Sequence, residues 1–168
     1  MMNSIRAVLV RELEAFAREI DLYPDDTLLW ETVPGILNSS GVLGLHVAGN
    51  LQHFIGSVLG NTGYVRDRAA EFARRSGTRA EVIAELTRAR QVVISVLGRL
   101  PDDSLTQTFP ERKANQDIST ALMLLHLATH LAFHLGQAGY LRRALTGDST
   151  SAGGLSSASL VTIAAPKP

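Results

Sequence analysis

Cysteine is absent from the sequence. Disulfides, a thiolate nucleophile and zinc sites of the cysteine type are therefore excluded, and the absence fits a reducing compartment. Formal net charge is zero, with 16 Lys and Arg against 16 Asp and Glu. No long-range field then draws the chain toward nucleic acid or anionic lipid. Aromatic residues are only 5% of the chain, and Trp30 is the single tryptophan. No apolar run reaches the roughly 18 residues that a membrane span needs. The opening stretch MMNSIRAVLVRELEAF carries Arg11, Glu12 and Glu14 and does not resemble a signal peptide. The expectation is a cytoplasmic protein with neither nucleic acid nor membrane as partner.

What is present is a globular composition: 45% hydrophobic and 19% charged over 168 residues. That length suits one domain with a substantial core. Ile5, Val8, Leu9, Leu13, Phe16 and Ile20 recur at helical spacing, which predicts a helix over about residues 4–20. Pro24 with Asp25 and Asp26 breaks it. The apolar Leu28-Leu29-Trp30 is expected to pack down onto the rest. A second helix, over about 39–59, is apolar around much of its circumference and so is expected to be central. Residues 61–77 read as a mixed-charge loop with at most a short helical turn; its arginines, Arg66, Arg68, Arg74 and Arg75, could form a basic lip. Thr78 and Glu81 carry a capping-box signature that opens a third helix running to about Leu100. A fourth starts near Asp117 or Ser119 and ends before Gly147, with Arg142 and Arg143 suited to its C-terminal dipole. No internal repeat is evident, and no strand pattern precedes the tail. The fold predicted is all-α, a four-helix bundle over 1–148, with an extended or mobile tail over 149–168 that could pack on a partner subunit.

Three of the five histidines, His126, His130 and His134, stand four residues apart in the last helix. Residues so spaced stack on one helical face. HxxxH on a helix supplies two nitrogens to zinc, nickel or another first-row ion. The glutamate of HExxH is missing, so a zinc protease of that kind is excluded. A third ligand must come from elsewhere, and the second helix offers His46 and His53. If these histidines are buried they need partners, and a shared metal would satisfy several at once. His126 is either a ligand or a group behind the ligands. Asn50 and Gln137, one turn from His46 and His134, could orient ligands or substrate.

The stretches SSGVLGLHVAGNLQHFIG and LLHLATHLAFHLGQAGYLRR resemble the metal-site helices of the DinB-like (YfiT-like) superfamily. In that family one histidine of the second helix joins an HxxxH pair that is often followed by Gly-Gln. Carried over by position, the ligands are His46, His130 and His134, with His46 favoured over His53 because it occupies the H-x-x-G-N-like position. The resemblance covers about residues 4–147. It implies a homodimeric bundle holding a divalent ion, nickel or zinc foremost. It also implies a transferase that joins a low-molecular-weight thiol, such as bacillithiol or mycothiol, to an electrophile. Two alternatives stand beside it. One is a hydrolase that activates water on the metal, with His53 or His126 moving protons. The other is a non-catalytic, stress-related bundle dimer that senses or stores a small ligand.

Overall fold

A computed structural model of the chain describes residues 1–154, 157, 158 and 160. Five α-helices follow one another: α1 (Met2–Asp21), α2 (Ser40–Leu51), α3 (Arg68–Ala73), α4 (Arg79–Leu97) and α5 (Thr120–Thr146). The described residues contain no β-strand, only isolated bridges such as Thr108 with Ser119. The long helices form the bundle: α4 and α5 each pack against both α1 and α2. The all-α bundle expected from the pattern is therefore the fold.

Helix α1 buries Ile5, Leu9, Leu13, Phe16 and Ile20 of the stripe read from the sequence, while Val8 is only half-buried. It begins earlier than that stripe, because the carboxylate of Asp102 accepts from the Met1 ammonium at 2.7 Å and from the Met2 amide at 2.9 Å. A cap supplied from a hundred residues away leaves no local signature. All twelve residues of α2 are buried. Its first turn is capped by Ser39, which accepts from the Val42 amide. The helix then widens into π-type turns over Gln52–Leu59. Trp30 does pack down: its ring lies against Gly41, where a Cβ would sit 2.9 Å from ring carbons, and its indole N–H donates to the Gly77 carbonyl at 2.8 Å. The capping box of Thr78 and Glu81 is formed. Helix α4 stops at Leu97, short of Leu100, with Gly98 as its C-terminal cap. Ser119 caps α5, and Gly147 ends it at φ +69°, the left-handed turn that glycine adopts without strain.

Arg142 departs from the dipole role expected of it. Its side chain is fully buried and pairs with Glu19 of α1, also buried. It donates further to the carbonyls of Asp148 and Thr150. Arg18 donates to the Ala152 carbonyl at 2.9 Å. These bonds fold the start of the tail, residues 149–152, back along α1 and α5; most of the tail beyond residue 154 lies outside the described residues. Removing one partner of a buried ion pair strands the other without water, which costs about 3–5 kcal/mol. Arg142→Ala should therefore lower the unfolding free energy in urea by about that amount, whereas a change under about 1 kcal/mol would show that the pair is not desolvated as described.

Candidate metal centre

Helix α5 places His130 and His134 one turn apart, as the spacing requires. Opposite them α2 presents His46, only 5% exposed. The His46 Nε2 lies 3.3 Å from the His130 Nε2, and the His134 Nε2 lies 3.1 Å from the same atom. One ligand atom from each of the three lies within 4.8 Å of the others. A tetrahedral ion with metal–nitrogen bonds of about 2.0–2.1 Å holds its nitrogens about 3.3–3.4 Å apart. These two contacts are close to that separation, so the three histidines lie close enough to hold a metal ion.

The far sides of two of these rings decide which nitrogen is free. The His134 Nδ1 lies 2.7 Å from the Gln137 Oε1, an acceptor, so Nδ1 carries the proton. The His46 Nδ1 lies 3.2 Å from the Glu71 Oε2, so it too is the protonated nitrogen. Both rings consequently turn an Nε2 lone pair toward His130. Lone pairs do not hydrogen-bond one another; a proton or a cation must lie among them. A neutral His130 meets these lone pairs in one of two ways: its own Nε2–H bonds to them, or it turns an Nε2 lone pair inward and a cation closes the set. It resists doing so as an imidazolium. Burial, then the positive charge that His134, His46, His126 and Arg66 carry or can gain, pushes it from its ordinary 6.5 down to about 4. His134 is also lowered, by burial first, against the opposing bond to Gln137. His130 and His134 are thus biased toward the neutral form, the form a metal needs.

The other residues singled out from the sequence fall into place unevenly. Gln137 serves His134 directly. His126 is exposed on α5, its ring centroid 5.9 Å from that of His130, beside the cluster rather than in it. His53 is drawn away from the centre and bonds Glu111 at 3.1 Å. Asn50 is buried, and its Oδ1 has no hydrogen-bond partner among the described residues. The basic lip does not form. Arg66 bonds both oxygens of Glu71, Arg74 pairs with Glu81, and Arg75 donates to the carbonyls of Phe72 and Arg74. Arg68 stacks over the Phe72 ring.

Sequence reasoning missed Glu71. It sits on α3, a short helix capped by Asp67, within the stretch expected to be mostly loop. Burial raises its carboxyl, but bonds from Arg66 and His46 outweigh that and hold it below the usual carboxylate range. Phe72 packs its ring centroid 4.7 Å from that of His46. The one readable signal was Asp67 three residues before Ala70, an N-cap pattern inside a charged segment. A groove of about 710 Å³ opens on the Gln137 side of the centre, lined by Ile36, Leu37, Leu43, Phe133 and Tyr140 among others and by no charged side chain.

The family DUF1572, described as proteins of unknown function, matches residues 1–155. The chain belongs to that family. DUF1572 membership agrees with the DinB-like motif carried by α2 and α5. No curated protein matches the chain. No helix among the described residues is long and apolar enough to cross a membrane.

The lowered His130 gives the metal-free protein a pH signature. An unfolded chain takes up a proton on this ring near pH 6.5 that the folded chain refuses until about pH 4. Stability therefore rises with pH across that window and levels off above it. The urea midpoint of metal-free protein should fall between pH 7 and pH 4.5, and His130→Gln should make that fall shallower. An equal slope in the variant would contradict the assignment.

Proposed function

We propose that this protein binds one divalent ion, nickel or zinc, through His46, His130 and His134. We propose further that it uses the ion to transfer a low-molecular-weight thiol to an electrophile. The observation that carries the reading is the meeting of three imidazole nitrogens from two helices, with no carboxylate among them. Such a set leaves the ion's charge uncompensated and at least one coordination position open. A bound ion there would favour the thiolate form of a coordinated thiol near neutral pH.

The chain's own residues supply the remainder. Glu71 and Gln137 hold the rings of His46 and His134 in the tautomer that offers Nε2. Phe72 and Phe133 flank these rings. The uncharged groove next to Gln137 suits an apolar electrophile. In the transfer a sulfur–carbon bond forms, the thiol proton is released, and the electrophile's leaving group, if it has one, departs. Of the proton carriers that a hydrolase would need, His53 is occupied by Glu111 and only His126 adjoins the centre. Outside that groove, Leu122 and Leu125 of α5 are exposed on a helix with no Asp, Glu, Lys or Arg between Thr120 and Leu141, which supports a homodimer as part of the proposal.

Protein purified without a histidine tag should hold about one metal per chain, and His130→Ala should weaken binding by more than the about 100-fold that loss of a supporting residue costs. Metal-loaded protein should consume a bacterial thiol with monochlorobimane, and chelation should stop it. The same preparation should scatter light as a dimer. Absence of metal, or of thiol consumption by loaded protein with any bacterial thiol, would contradict the respective part; a monomer would remove the dimer.

A further inference from the structure

The least expected feature of the centre is the packing of a buried ion pair behind one ligand. Arg66 donates through Nε to the Glu71 Oε1 at 2.8 Å and through Nη2 to Oε2 at 2.7 Å, the forked arrangement that fixes a carboxylate plane. The side chains of Arg66 and Glu71 are 10% and 9% exposed. Arg66 Nη2 also lies 3.1 Å from the His46 Nδ1, but the carboxylate is the nearer and charged acceptor. The Nδ1 proton therefore goes to Glu71.

The space for this carboxylate comes from α2 itself. A Cβ at Gly49 would stand 2.0 Å from the Glu71 Oε1 and 2.9 Å from its carboxyl carbon, closer than any real contact. Gly49 lies three residues after His46, so the gap and the ring share one face of the helix. Helical glycine costs about 1 kcal/mol relative to alanine, and α2 carries it in the middle of a buried run. The sequence H-x-x-G thus encodes a ligand and a slot for the group that holds it.

We propose that Arg66 and Glu71 are positioning residues for the metal centre, with Gly49 providing the gap that lets them reach His46. Glu71 locks His46 as the Nδ1–H tautomer, so that Nε2 faces His130. Arg66 occupies both oxygens of Glu71, keeping the carboxylate behind the ring and out of the ligand set. This inference rests on the three-histidine reading of the site, yet the tautomer can be read without any metal.

Two measurements test it. In metal-free protein, ¹⁵N–¹H correlation of the imidazoles should show His46 protonated at Nδ1. In Glu71→Ala it should shift toward the Nε2–H form, and in Glu71→Gln, which keeps an acceptor, it should stay. With zinc or nickel alone, competition against a chromogenic chelator should show Glu71→Ala weakened about 10–100-fold, with Glu71→Gln much closer to wild type. Gly49→Ala should weaken binding in the wild-type background and add little to Glu71→Ala, because the Cβ then meets only the Tyr64 hydroxyl, at 3.3 Å. A His46 tautomer unchanged in Glu71→Ala overturns the proposal, whatever the metal affinity. So does a full Gly49→Ala effect that persists in Glu71→Ala. If wild type binds no metal but the tautomer follows Glu71, the positioning role stands and the metal reading fails.

Discussion

A polar ring placed on the most buried helix of a bundle must find a partner for each of its nitrogens. That constraint on His46 organises much of what surrounds it. Every residue of α2 is buried, so water cannot serve the ring. On one side Glu71 accepts from Nδ1; on the other, Nε2 meets His130 and, through it, His134. Removing either side leaves an unsatisfied group in the core, and such groups are among the more expensive defects a protein can carry.

The demands of that ring spread outward into the fold. Glu71 is itself a charge in a buried place and is tolerated because Arg66 meets both of its oxygens. The pair needs room, which Gly49 leaves. It needs a rigid mount, which α3 supplies as a single short helix capped by Asp67. Glycine also lets Trp30 lie flat on α2 at Gly41, while the Trp30 indole ties the chain near Gly77 at the entrance to α4. The small residues of α2 are thus used on more than one side: at Gly41 for an aromatic ring and at Gly49 for a carboxylate. Another buried ion pair, Glu19 with Arg142, works differently. It joins α1 to α5 and gathers the carbonyls of Asp148 and Thr150, so that it closes the bundle rather than serving the centre.

What the sequence disclosed, and what it withheld, follows from the range of each interaction. The helices and their caps at Thr78 and Gly147 were legible because caps act within four residues, and Ser119 stood as one of two candidates for the start of the last helix. The pairing of His130 with His134 was legible for the same reason. The choice of His46 over His53 was not settled by spacing, since both lie on α2; the resemblance chose His46, and the geometry brings His46 to the pair and His53 to Glu111. The start of α1 was misjudged because its cap, Asp102, is distant in sequence. Glu71 and Arg66 were missed because a charged segment reads as solvated unless one knows what it packs against. Arg142 was misread for a related reason: basic residues near a helix C-terminus fit the dipole, and only the partner Glu19 on α1 reveals that this one is interior.

The central claim is that His46, His130 and His134 close on a single cation. Anomalous diffraction from crystals grown with zinc, recorded on both sides of its absorption edge, tests it most directly. The account predicts one strong peak per chain, about 2.0–2.1 Å from the Nε2 atom of each of the three histidines, with a non-protein ligand or water completing the shell. A fully occupied peak held by other residues, or no peak at the three rings in zinc-saturated crystals, would contradict it.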